Sequence, residues 1–199
     1  MKVSIISESG YDIALFGTGL SYGVTSHFEK FHDFEISRMI KVDGMSGARD
    51  KMLSVCSKLA NKDGGHNKFL EMMVVWMDID APRYWWSEFD TYRVGTSKLS
   101  ESTMHTITKR HLSKADFQGG IDEEFLKTIN ETIDTGDFYQ VKRILPESFL
   151  QRRVVCTNYK VLRNMYQQRK NHRLPEWRDF CESLKRELGH FEFIENYGD

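Results

Sequence analysis

The chain is poor in the residues that stiffen, staple or anchor a protein. It has only three prolines and three cysteines in 199 residues. Cys56, Cys156 and Cys181 form an odd set with no close spacing, which argues against a disulfide framework and against a CxxC metal site. A reduced, cytoplasmic compartment is the natural expectation. No low-complexity linker and no internal repeat interrupts the sequence, so one domain over residues 1–199 is expected. No apolar run approaches the roughly 20 residues of a membrane span. The opening MKVSIISESG is too short in apolar residues for a secretory signal. Charge of either sign is not in excess. Lys plus Arg is 28 and Asp plus Glu is 29, a formal net charge of −1. Bulk charge therefore gives no argument for a nucleic acid or an anionic membrane as partner; a local anion site stays open.

Several motifs are absent as well. There is no Walker-type glycine loop and no GxGxxG, so neither common nucleotide fingerprint applies. His27, His32, His66, His105, His111, His172 and His190 show no HExxH or paired spacing, and a metal enzyme is not expected. No GxSxG elbow or recognisable cysteine nucleophile occurs.

What is present is hydrophobic periodicity. Val3 to Ile6 reads as a first strand, followed by a helix over Tyr11 to Leu20 with Ile13, Leu15 and Phe16 inward. Ser26 to Asp43 is an irregular, packed segment. Ser46 to Lys62 is a helix stopped by Asp63-Gly64-Gly65. Met72 to Asp80 is the best strand in the chain, closed by Ala81-Pro82. Arg83 to Arg93 is an aromatic-rich helix, Val94 to His105 a polar loop and His111 to Gly120 irregular. Asp122 caps a helix over Glu123 to Ile133. Phe138 to Leu145 is a short helix, ended by Pro146. The last helix begins at Pro175 and carries Trp177, Phe180, Cys181, Leu184 and Leu188 in one stripe, a core or subunit interface. The fold class is α+β, with few strands and many helices.

The most unusual stretch is Thr157 to Arg173, read as one long helix. At about 100° per residue, Asn158, Val161, Leu162, Met165, Arg169 and His172 share a face. Three of these are polar, and a buried amide, guanidinium or imidazole costs kcal/mol unless partnered. Lys160, Asn164, Gln167 and Asn171 form a second polar stripe. One reading satisfies the first stripe with neighbouring carboxylates and carbonyls and leaves the second in water. The other has a ligand touching both stripes, with Arg169 and Lys160 facing anionic groups; Arg suits phosphate through its planar fork. The loop TSKLSESTMH holds five hydroxyls and a Lys, which suits either a solvated turn or a phosphate cradle.

These stretches fall into a known order. KVSII with LSYG, GHNKFLEM before the strand MMVVWMDIDAP, KRILP, and TNYKVLRNMYQQR together resemble the flavin-dependent thymidylate synthases over most of the chain. GHNKFLEM is similar to that family's G-H-x-x-x-x-E-H segment, with Met72 in place of the final His. Thr91-Tyr92-Arg93 stands where the family has R-H-R, and Glu88 where it has a Gln. Glu101, between Ser100 and Ser102, takes the place of a family Ser. KRILP is similar to A-R-x-x-L-P. Asn158, Lys160, Asn164 and Arg169 fall on the positions of N-x-R-x-x-x-N-x-x-x-x-R, and His172 lies one residue from the family's His.

The resemblance implies a small mixed or antiparallel sheet with several long helices. It implies FAD held by His66, Glu71, Tyr92, Arg93, Asn158, Lys160, Asn164 and His172. It also implies dUMP, or a related pyrimidine deoxynucleotide, held by Glu88, Ser100, Ser102, Lys142, Arg143 and Arg169. The implied reaction is reductive methylation of dUMP with methylenetetrahydrofolate and NADPH in a homotetramer, with no enzyme nucleophile required. The altered R-H-R triplet leaves two alternatives: hydroxymethyl transfer to a related pyrimidine nucleotide, or a non-catalytic flavin- or nucleotide-binding homologue. An assembly protein using the RYWWSEF patch is a further class.

Overall fold

The computed structural model describes residues 1–21, 46–62 and 65–195. The irregular segment over Ser26 to Asp43 and the Asp63-Gly64 stop lie outside them.

Four antiparallel strands make the sheet: β1 (Lys2–Ser9), β2 (Val74–Pro82), β3 (Ser97–Ser100) and β4 (Leu150–Asn158), in the order β1-β2-β4-β3. The period-2 alternation of a strand sends Val75, Met77 and Ile79 of β2 and Val155 of β4 into the core, all fully buried. The opposite face carries Trp76, Asp78 and Val154, and Arg152 grips Asp78 there through Nε at 2.8 Å. The fold is thus α+β, with the sheet antiparallel throughout.

The helices follow their caps. α1 (Tyr11–Leu20) starts from Gly10, and α2 (Ser46–Ala60) packs on it. Of the expected inward residues of α1, Leu15 is buried, but Ile13 faces outward at 37% exposure. α3 (Phe69–Met72) is a single turn before β2, and α4 (Arg83–Phe89) follows β2 directly. The polar loop expected over Val94 to His105 instead contains β3 and α5 (Thr103–Thr106). Its local sequence is nearly all polar, and the strand exists because β4 supplies a partner.

α6 (Glu123–Asp134) is capped by Asp122, which accepts from Phe125 N at 3.0 Å; Asp137 caps α7 (Phe138–Ile144). Ile129 and Ile133 are buried with Val141, Leu145 and Phe149 in a small second cluster, while Phe125 is left outside it. The helix expected from Thr157 is shorter. β4 runs through Thr157 to Asn158, and α8 spans Tyr159–Arg169. Thr157 is buried as a strand residue and donates to Gly95 O at 3.1 Å.

α9 (Pro175–Glu187) buries Trp177, Phe180, Cys181 and Leu184, and packs on β1 and α8. Its two rings meet Trp85 and Phe89 of α4 at centroid distances of 4.7–6.2 Å. Burial pushes the Cys181 thiol up to about 12, with the Glu182 charge adding to it, so this side chain acts as a core hydrophobe. α10 (Glu192–Glu195) closes the fold against α8 and α2. Among the described residues no helix is long and apolar enough to cross a membrane.

Candidate functional site

The site is built where β4 turns into α8 without a linker. Asn158 ends the strand and caps the helix, its Oδ1 accepting from Val161 N at 3.0 Å. The cap leaves the Asn158 amide nitrogen beside Gly95, where a β-carbon would sit 3.1 Å from it and 3.0 Å from Val161 Cγ2. Gly95 is in the left-handed region, at φ 71°. The 91–95 loop can lie against the first turn of α8 only because this residue is glycine.

That loop forms one wall of a cleft of ≈ 840 Å³. The first turns of α8 form the second wall, with Lys160, Val161 and Asn164. Asn61, Asn67 and Glu71, around the turn into α3, form the third. A cavity of this size lies within the range of sites that enclose a small molecule or cofactor.

The loop wall is pinned at three points. Asp90, just before it, is held by Lys98 of β3 at 2.6 Å and Arg153 of β4 at 3.1 Å. Burial acts to raise the Asp90 carboxyl, but the two cations outweigh it and hold it below its ordinary range. Tyr92 accepts from Arg169 Nε at 2.9 Å and donates to Gln168 Oε1 at 2.8 Å. Gly95 O takes the Thr157 hydroxyl at 3.1 Å. The loop wall is therefore held by Lys98, Arg153, Arg169 and Thr157, none of which lines the cleft.

Charge in the cleft is one-sided. Among the described residues, Arg93, Lys160 and Arg163 line it against the single carboxylate of Glu71. Lys160 Nζ meets Glu71 at 2.5 Å, and both are partly exposed. Arg163 donates to Asn61 Oδ1 at 3.2 Å. Arg93 is exposed and makes no ion pair among the described residues. Two net positive charges in a walled concavity favour an anionic ligand.

Asn67 was not legible as a site residue. It is only 3% exposed, lines the cleft, and its side-chain oxygen has no hydrogen-bond partner among the described residues. Leaving a buried acceptor unmade costs about 1–3 kcal/mol. Its sequence signal is slight: a lone amide between His66 and the apolar run into β2.

The expected cofactor residues divide clearly. Glu71, Tyr92, Arg93, Asn158, Lys160 and Asn164 come together in the cleft. His66 is exposed beside Asn67, outside the lining. His172 lies behind the loop wall in a separate cluster with two of the expected substrate residues. There Arg169 Nη1 meets Glu88 Oε2 at 2.7 Å and His172 Nε2 at 2.8 Å. Trp177 Nε1 donates to the same Glu88 oxygen at 2.9 Å, and the guanidinium lies 4.7 Å from the Trp177 ring centroid.

The polar stripe of Arg169 and His172 is thus satisfied by a carboxylate of α4, and Arg169 reaches the cleft only through Tyr92. The remaining substrate candidates are not brought to the cleft. Ser100 and Ser102 are exposed on and after β3, and Lys142 and Arg143 are exposed on α7. Partial burial raises the Glu101 carboxyl from its ordinary value, and Asp80 adds to this against the hydrogen bond and charges that lower it.

No family model matches the chain, and no curated protein matches it. Solved structures do. Two structures of a flavin-dependent thymidylate synthase from Helicobacter pylori, each complexed with FAD and dUMP, superpose with a TM-score of 0.74 at 17% sequence identity. The alignment covers 98% of this chain and 97% of that one. The two chains share a fold over nearly their whole length.

Proposed function

We propose that this chain is a flavin-dependent enzyme that reductively methylates dUMP to dTMP, using methylenetetrahydrofolate and NADPH. The observation that carries the reading is the cleft itself. Six residues chosen from the sequence as flavin contacts line one cavity of ≈ 840 Å³, and the structural likeness to the FAD- and dUMP-complexed enzyme supports it.

The residues present suit FAD. Arg93, Lys160 and Arg163 would hold the phosphates, and a guanidinium fork can hold two oxygens at once. Tyr92, held by Arg169, offers a ring to stack on. The buried amide of Asn67 offers an unspent acceptor. Bound flavin supplies hydride, and the protein's own groups bind, orient and neutralise charge. The chain is a homotetramer on this reading. Ile6, Leu20 and Met72 are apolar and 47–56% exposed, as expected of surface that meets another subunit.

The test is direct. Purified protein should show a flavin absorption band or take up added FAD, and light scattering should give the mass of four chains. Arg93→Ala should weaken FAD binding by roughly 10- to 100-fold, the worth of one hydrogen bond to a charged group. A wild-type protein that stays colourless in excess FAD, or an Arg93→Ala protein with unchanged affinity, would refute the assignment.

The Glu88–Arg169 pair favours a second reading. A carboxylate neutralises the arginine that the resemblance assigns to the nucleotide, at 2.7 Å. A homologue that binds flavin without methylating dUMP would be built this way. Single-turnover assays with FAD-loaded protein separate the two: dTMP formation supports the first reading, and its absence despite full FAD loading supports the second.

A further inference from the structure

Building on the proposed flavin site, we propose that Asn67 is a specificity-determining residue that reads an imide edge, a ring N–H beside a carbonyl. Asn67 is only 3% exposed at the cleft wall, and among the described residues its side-chain oxygen has no donor. Its own backbone carbonyl is already used by Leu70 N at 3.1 Å, so the side chain is not spent on the turn into α3. A carboxamide presents an acceptor and a donor side by side. Its complement is a ligand group with a donor next to an acceptor. The imide edge of the flavin ring and that of uracil both have this pattern, and an ionised phosphate, which only accepts, does not.

The position suits recognition more than adhesion. A buried, unmade acceptor gives little to a ligand that also lacks a donor, and rejects it. Arg93 and Lys160 already provide attraction for anionic groups, without regard to the ring. Asn67 adds a test of ring identity at the wall of the same cleft.

The experiment uses the full-length protein with four probes: FAD, N3-methyl-FAD, dUMP and N3-methyl-dUMP. Binding is followed by flavin fluorescence quenching or calorimetry, and folding by thermal melting. Wild type should prefer the unmethylated form of one ligand pair by at least roughly tenfold. Asn67→Leu, close in shape and without the amide, should bind both members of that pair alike while melting no lower than wild type, because a buried orphan has been removed. Should Asn67→Leu fail to fold, Asn67→Ser serves instead.

Loss of discrimination in the flavin pair identifies the imide as the cofactor's, and loss in the nucleotide pair identifies it as the substrate's. Discrimination that survives in both pairs overturns the proposal while leaving the flavin site intact. A wild type that binds neither FAD nor dUMP overturns the flavin reading and this inference with it. A variant that binds normally but melts well below wild type assigns Asn67 a structural role and also overturns it.

Discussion

Glu88→Ala is expected to lower the unfolding free energy by about 2–3 kcal/mol and the melting temperature by roughly 4–12 °C. The carboxylate is the common acceptor for Arg169 Nη1 at 2.7 Å and Trp177 Nε1 at 2.9 Å, and His172 lies 3.6 Å away. Removing it leaves a guanidinium whose side chain is only 18% exposed beside an imidazole, and strands an indole N–H. A fully buried pair would cost about 3–5 kcal/mol to break. Glu88 itself is 35% exposed, which discounts the figure. Glu88→Gln keeps the acceptor geometry without the charge and should fall between wild type and Ala. Denaturant unfolding measures the series. Equal stability of all three would show that Arg169 finds another anion, and the ion pair would then be no barrier to its use on a ligand.

Gly10→Ala should be the more damaging of two glycine changes in the same region, by about 2–5 kcal/mol. Gly10 begins α1 at φ 86°, where an L side chain is strained. A β-carbon there would come within 2.2 Å of the carbonyl oxygen of Met72, and backbone on both sides cannot move aside like a flexible side chain. Gly17 in the same helix is the control. Its β-carbon would meet only the Met72 sulfur, at 3.9 Å, so Gly17→Ala should stabilise by roughly 0.5–1 kcal/mol through helix propensity. Urea midpoints compare the pair, and similar midpoints would show that the turn relaxes around Gly10. Met72 follows Glu71 in α3, so this contact also seats the wall that carries the Glu71 carboxylate.

What could be read from sequence was what local pattern controls. The α9 stripe from Trp177 to Leu184 is buried as its period requires, and Asp122 and Pro175 mark helix starts. β4 was not legible. Gln151, Arg152 and Arg153 break its alternation, and its outward residues are satisfied across the sheet, as Arg152 is by Asp78. Hence Thr157 and Asn158 look like the start of a helix. β3 was hidden for a related reason: SKLS has no preference of its own that competes with a loop, and pairing with β4 decides.

In the site, the polar stripe at Asn158, Lys160 and Asn164 was visible because its residues lie on consecutive turns. The partner of Arg169 was not, because Glu88 lies 81 positions away. Asn67 was hidden because being orphaned is a property of packing, which no single residue announces.

The joins that build the cleft also span long stretches of chain. Lys160 meets Glu71 across 89 positions and Arg163 meets Asn61 across 102. The first strand is tied to the last helices by still longer closures: Ile5 N to Glu187 across 182 positions and Gly189 N to Glu8 across 181. Such closures cost loop entropy before any contact rewards them, so they form slowly and late. A nascent chain lacks the cleft until α8 has been made, because the second wall waits for residues beyond position 158. A chain stalled before α9 is made leaves the aromatic face of α4 uncovered, because Trp177 and Phe180 have yet to meet Trp85 and Phe89.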